Sequence, residues 1–421
     1  MISVDLNMIQ TAGIGALALM VGMVLTRKVP FLQKFCIPSP VSGGIIFSLI
    51  GLALYGWFHI ELSFDHTLQD TFMLAFFTSV GFQTDFKVLK QGGKALGIML
   101  VLLVLIITLQ NLMPWGITKL MGVNPLLGIT AGSVSMTGGH GTAGGFAGVL
   151  EQMGLHGAGT IGMAAATFGL IAGSMIGGPL AEFIIRKKLT QEQMQQDVEI
   201  DPAMAGIESD EASPEGRAKR MSSNELEFQQ YAKASYWILL AMGGGTLLSW
   251  ALGKTGVTFP SYFGALILAA IMRNTIGFIP YKENGKWVKG EKQFDMDHII
   301  SVGNICLSMF LDMAMISLRL WELSSLALPL VVILVSQIVM MILFVYFVAF
   351  PLLGRDYDAA VLCAGICGFG LGATPNAMAN MSAVCYKYRY TVKPFLIVPI
   401  IGAMFADLIN AAIITLFLNL M

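Results

Sequence analysis

Two polar, glycine-rich segments interrupt an otherwise apolar chain: Ser133-Val-Ser-Met-Thr-Gly-Gly-His-Gly-Thr142 and Gly368-Phe-Gly-Leu-Gly-Ala-Thr-Pro-Asn376. Gly138, Gly139, Gly141, Gly370 and Gly372 permit backbone to approach a ligand more closely than any side chain would allow. With Ser135, Thr137, His140, Thr142, Ala373, Thr374, Pro375 and Asn376 they make a candidate substrate site. Backbone N–H groups at the start of a half-helix carry partial positive charge and suit a small carboxylate. Freed carbonyls and the side-chain oxygens of Ser133 and Asn380 suit a cation. Tight helix packing also selects glycine in membranes, but the polarity gathered here exceeds what packing requires. His140 suits either donation to a carboxylate and a change of charge near neutral pH, or a structural hydrogen bond; the residues leave both open.

Two further sets lie within apolar runs. Asn304, Ser308 and Asp312 recur every four residues and Asp407 and Asn410 lie three apart, so each set shares a helical face expected to line a cavity or hold a cation. An ionisable side chain inside a span costs about 3 kcal/mol on insertion scales and usually marks an ion or substrate path; the alternative is a carboxylate paired for structure. Asp407, near mid-span, is the stronger candidate. Arg273 lies near a span end and can snorkel. No catalytic triad, zinc motif or G-x-x-x-x-G-K-[ST] phosphate loop occurs, which points to a carrier and away from an enzyme or an ATP-driven pump.

The setting follows from composition. Of 421 residues 55% are hydrophobic and only 12% charged, too few charges to cover a soluble globule. Long apolar runs indicate an all-α polytopic membrane protein and not a barrel of alternating strands. Spans are expected at 8–26, 41–58, 95–115, 160–185, 234–252, 261–279, 325–351 and 394–420, with two weaker ones at 68–86 and 298–319. The stretches 124–150 and 357–386 are too broken for ordinary spans and are expected as re-entrant hairpins lining a cavity, because unpaired backbone cannot face lipid. That arrangement suggests transport. The first segment lacks a basic start and a clear cleavage site, so it reads as a retained span. Five cysteines without C-x-x-C spacing read as packing residues. The net charge of −1 identifies no partner, and no nucleic acid is expected.

Arg27, Lys28, Lys34, Lys87, Lys90, Lys94, Arg186 to Lys188, Lys282 to Lys292, Arg355, Lys387, Arg389 and Lys393 fall on one side of these spans, which makes that side cytoplasmic and puts both termini outside. Five spans per half then require inversion: residues 1–185 form one repeat with its hairpin, 234–421 the other, and 186–233 a polar cytoplasmic linker expected to be partly disordered. Local echoes agree, with Pro38-Ser39 opening the second span as Pro260-Ser261 opens the seventh, and Thr78 aligning with Asp312.

At these residues the chain resembles the bacterial sodium/glutamate symporters, the glutamate:sodium symporter family, over nearly its full length. The likeness rests on Leu74-Ala-Phe-Phe77, Thr137-Gly-Gly-His-Gly-Thr142, Phe168-Gly-Leu170, Gly177-Gly-Pro179, the run from Leu320 to Pro329, Tyr357-Asp-Ala-Ala-Val361, the run from Cys367 to Pro375, and Phe395-Leu-Ile-Val-Pro399. It implies secondary uptake of L-glutamate with Na+ as coupling ion and no organic cofactor. It also implies an inverted five-plus-five fold shared with the 2-hydroxycarboxylate transporters, a homodimer, elevator-like alternating access, and a place in the lipid of the bacterial inner membrane. Asp312, Arg273 and the linker match no motif of that family. The competing readings are a carrier of another dicarboxylate or one coupled to H+, and, from a different class, a channel. A channel fits less well because the polar residues gather at two tips and do not run along a pore.

Overall fold

The computed structural model describes residues 2–86, 93–189, 214–254, 258–276, 281–283, 286–288 and 294–420. All ten expected spans are helical. The first half contains α1 (Met8–Lys28), α2 (Ser39–Phe58), α3 (Thr67–Gln83), α4 (Gly93–Met121), the broken pair α5 (Pro125–Ile129) and α6 (Gly139–Gln152), and α7 (Ala158–Lys188). The second contains α8 (Pro214–Gly253), α9 (Phe263–Thr275), α10 (Met296–Ile316), α11 (Ala327–Phe344), the broken pair α12 (Tyr357–Leu371) and α13 (Thr374–Lys387), then α14 (Lys393–Ile400) and α15 (Asp407–Leu420). Among the described residues eight helices are long and apolar enough to cross a bilayer, so the chain is a multi-pass membrane protein.

The weak run at 298–319 forms a 21-residue helix with a mean hydropathy of 1.9, because the aliphatic residues between Asn304, Ser308 and Asp312 offset them. The seventh run, 261–279, is helical over Phe263–Thr275, and its last three residues, 277–279, lie outside the described residues. The polar stretch 214–233 is not a separate tether but the first half of α8. The rest of the linker, 190–213, and Lys87 and Lys90 lie outside the described residues. Two short sheets had no signal in the hydropathy pattern. Ile2–Leu6 pairs in parallel with Ile60–Phe64, tying the start of α1 to the end of α2, and Tyr281–Glu283 forms a hairpin with Lys286–Val288.

Packing sorts the helices into two bodies. In the first, α1 crosses α2 with backbones touching: a Cβ on Gly43 would meet the Ala18 carbonyl, and one on Gly22 the Ser39 carbonyl. Helix α3 lies between α9 and α10, with Gly81 against Leu266 and Gly303 against Ser79; α8 packs on α9 through Gly245 and Gly264. In the second body, α12 is buried on every side from Ala359 to Leu371. That explains a helix that is apolar all round and crowded with glycine, cysteine and alanine. Around it stand α7, α11, α13 and α14, with α4, α5, α6 and α15 completing the body. The seam between bodies carries a ring cluster in which Tyr262 stacks on Phe77 at 3.7 Å and meets the edge of Phe146 at 6.1 Å.

Because the α1–α2 crossing is backbone on backbone, Gly43→Val is expected to force the helices apart and destabilise the first body by about 1–3 kcal/mol or more. A lowered thermal midpoint of the detergent-solubilised protein would register it. An unchanged midpoint would mean that the crossing does not contribute to stability.

Candidate functional site

Helix α5 runs into a π-turn, Thr130–Val134, and breaks at Gly132, whose ψ of −136° is non-helical. A Cβ there would strike the Gln110 carbonyl of α4, so only glycine lets the chain turn so close to that helix. After Thr137 the chain restarts as α6, with Gly139 at φ +59°. The second break is shorter. Helix α12 ends at Gly372 and α13 begins at Thr374, with Pro375 in its first turn, where a missing N–H costs nothing. The tips meet: a Cβ on Gly139 would lie 3.2 Å from the Gly372 carbonyl oxygen. Neither α6 nor α13 has a side chain capping its first turn; α6 presents the N–H groups of its first residues at this junction, while in α13 Pro375 has none and the Asn376 N–H bonds the Ala373 carbonyl at 3.0 Å, leaving that of Thr374.

Buried amides tie the broken segments to the helices around them. Gln110 donates to the Gly370 carbonyl at 2.5 Å and accepts from the Thr137 hydroxyl at 2.7 Å. Gln337 of α11 donates to the Gln110 carbonyl at 3.0 Å. Asn111 donates to the Ser133 hydroxyl at 2.8 Å, and Asn410 of α15 to the Ser133 carbonyl at 3.0 Å. Asn376 donates to the Leu170 carbonyl at 3.0 Å and to Ser174 at 2.6 Å; Asn380 donates to the Gly173 carbonyl at 2.9 Å. The Oδ1 atoms of Asn376 and Asn410 remain buried without a hydrogen-bond partner.

A cavity of about 290 Å³ opens beside the tips, near the lower end of volumes typical of small-ligand sites. Of the expected substrate residues, Thr137, Gly138, Gly139, His140, Gly141, Thr142, Gly372, Ala373, Thr374 and Pro375 line it. Ser135, Gly370 and Asn376 stand behind that wall. The Ser135 hydroxyl donates to the Thr130 carbonyl at 2.6 Å, and Gly370 holds Gln110 and Thr137. Of the expected cation or cavity residues, Asn304 and Asp407 line the space. Asp407 has no hydrogen-bond partner among the described residues, so its carboxylate is available to a ligand. Ser133, Asn380 and Asn410 brace the breaks from behind. His140 receives a structural partner, with Nε2 2.9 Å from the Thr167 hydroxyl.

The shared face expected for Asn304, Ser308 and Asp312 does not hold. Four-residue steps drift by about 40° each on a 3.6-residue helix, so the third member points elsewhere. Ser308 bonds back to the Asn304 carbonyl at 2.9 Å, and Asp312 is buried against Gly15 of α1, away from the cavity. Arg273 does not snorkel freely but pairs with Asp85 at 3.3 Å.

The opposite wall, from the first body, is mostly apolar: Phe76, Val80, Ile300, Leu307 and Leu311, relieved by Gln83 and Asn304. A second cavity of about 490 Å³ opens at the other end of the same seam, among His66, Asp70, Glu151, His156, Arg319 and Glu322. Phe77, Tyr262 and Phe310 fill the seam between the two. Gln110, Asn111 and Gln337 escaped the sequence reading. Their signal was present, since amides in the middle of the most apolar runs need a buried partner just as carboxylates do.

The description "Sodium/glutamate symporter" belongs to the family model that matches residues 4–390. The chain is 36% identical to the sodium/glutamate symporter of Escherichia coli K12 over 420 residues, covering 99% of this chain and 98% of that one. It is 37% identical to the sodium/glutamate symporter of Haemophilus influenzae over 409 residues, covering 96% and 95%. No solved structure matches it significantly. Matched along nearly its whole length both to the family model and to these relatives, the chain belongs to the sodium/glutamate symporter family.

Proposed function

We propose that this protein carries L-glutamate into the cell together with Na+, by moving one body of the fold against the other. The single observation that carries this reading is the meeting of two uncapped helix starts, α6 and α13, beside the free carboxylate of Asp407 in one small cavity. An amino acid with two carboxylates and one ammonium matches that set. Each helix start receives one carboxylate through its N–H groups and partial positive charge, and Asp407 receives the ammonium. The cargo Na+ needs hard oxygen ligands, and the unpartnered Oδ1 atoms of Asn376 and Asn410 beside the broken backbone supply them. The names of the relatives support the same substrate and ion.

The elevator reading draws on the asymmetry of the seam. Nearly all polar contacts come from the second body, while the first offers a largely apolar wall past which a loaded site can slide. A cavity at each end of the seam provides the two exits that alternating access requires. In this reading the broken pairs are re-entrant hairpins of an inverted repeat, with both termini outside the inner membrane. The first body forms the homodimer scaffold.

Proteoliposomes should accumulate labelled L-glutamate when an inward Na+ gradient is imposed and lose that accumulation when Na+ is equal on both sides. Uptake driven equally well by a proton gradient without Na+ would favour an H+-coupled carrier. Competition by another dicarboxylate at lower concentration would reassign the substrate. Asp407→Asn, which keeps the shape and removes the charge, is expected to reduce uptake about tenfold or more. Full activity in an inserted, monodisperse variant would take Asp407 out of the site.

A further inference from the structure

A second cavity system lies on the outer surface of the mobile body, away from the transport seam. Helices α4 and α11 leave between them an apolar groove of about 900 Å³, lined by residues that include Leu109, Met113, Val335, Val339 and Leu343. Val335 and Leu343 are each 51% exposed, so nothing among the described residues covers it. The one hydroxyl in the lining, Ser336, already donates to the Ile333 carbonyl at 2.7 Å, leaving no polar group to serve. At one end, Phe347 belongs both to this groove and to a smaller pocket of about 340 Å³ formed by Lys188, Tyr346, Phe350, Pro351 and Arg355.

The two parts differ in chemistry. The pocket holds two exposed cations from different elements: Lys188 ends α7, and Arg355 follows the short helix Phe350–Leu353 in the left-handed backbone region at φ 59°. Among the described residues neither is in a salt bridge. Lys188 lies 5.4 Å from the Tyr346 ring centre, held over an aromatic face. The neighbouring acid, Asp356, is turned to the start of α12, where it accepts from the Ala359 N–H at 2.7 Å. Measured along α11 and the π-turn after it, Val339 to Val348 rises about 14 Å at 1.5 Å per residue, one leaflet's share of a hydrocarbon core of about 30 Å.

We propose that this groove and its cationic pocket form a binding site for an anionic phospholipid, the acyl chain lying between α4 and α11 and the headgroup phosphate held by Lys188 and Arg355. Arg355 offers paired donors to phosphate oxygens, while Lys188 adds a point charge. A zwitterionic lipid fills the groove equally well but gains less from the cations. Because both cations belong to the body that carries the substrate site, the lipid binds most strongly when that end of the body lies at headgroup depth. The proposal is independent of what the central cavity binds.

Native mass spectrometry of the purified full chain, titrated with phosphatidylglycerol and, separately, with phosphatidylcholine, tests it. Wild type should retain phosphatidylglycerol preferentially. Lys188→Ala and Arg355→Ala should each weaken that retention about fivefold, and the double variant roughly twenty-five-fold, with phosphatidylcholine retention unchanged. Lys188→Arg, which keeps the charge, should keep the retention. Equal retention by wild type and the double variant, or equal retention of the two lipids by wild type, would overturn the proposal. So would displacement of phosphatidylglycerol by inorganic phosphate alone, which would make this an anion pocket with no lipid component. Cross-linking of two copies through Val335→Cys in phosphatidylglycerol vesicles would overturn it in favour of a subunit interface.

Discussion

A helix that stops inside hydrocarbon leaves several N–H and C=O groups that water cannot reach, and each must find a partner within the protein. The architecture of the second body is largely a response to that requirement. Gln110, Asn111 and Gln337 sit in the middle of their helices, each wholly buried, where an amide would be expensive without a partner. Gln110 holds the Gly370 carbonyl, Asn111 the Ser133 hydroxyl, and Gln337 the Gln110 carbonyl. Asn410 and Asn380 do the same for Ser133 and Gly173. Once those amides are in place, the two breaks become fixed features of a rigid core and the helix starts that follow them are aimed at one point. The binding potential of the site is therefore a by-product of satisfied backbone elsewhere.

The same requirement explains the division between the bodies. Broken helices need neighbours on every side, and α12, enclosed throughout its length, has them. The first body contains only unbroken spans and close glycine crossings, and it can present a nearly smooth face to the seam. Contacts across that face among the described residues include the ring cluster of Phe77, Tyr262 and Phe146, packing of Phe310 on Gly144, and hydrogen bonds such as Thr84 Oγ1 to the Met404 carbonyl at 3.0 Å and Asn419 to the Thr258 carbonyl at 3.1 Å. Rings repack at modest cost, and one neutral hydrogen bond contributes about 1 kcal/mol, so each of these contacts holds the bodies together only weakly.

Much of this was legible in the sequence. The ten helices were readable from apolar runs, and the two tips from glycine placed beside hydroxyl and amide residues, because irregular polar backbone inside a membrane protein has few other uses. That Asp407 lines a cavity was readable from its position in the span. What misled was periodicity at coarse grain: Asn304, Ser308 and Asp312 look coaligned at four-residue spacing, yet only Asn304 lines the cavity, and Asp312 belongs to the α1 contact. The strand pair joining Ile2–Leu6 to Ile60–Phe64 depends on two segments brought together by the α1–α2 crossing, which no local pattern encodes. The bracing amides were visible but were passed over in favour of ionisable residues, although both are governed by the same penalty for burial without a partner.

The account stands or falls on relative motion of the two bodies, and the Thr84 contact with Met404 spans them directly. Cysteines placed at positions 84 and 404 in a cysteine-free background should form a disulfide under mild oxidation in proteoliposomes. The expected result is loss of Na+-driven glutamate uptake on oxidation and recovery on reduction, with neither single cysteine affected. Uptake at an undiminished rate in fully cross-linked protein would contradict movement of one body against the other.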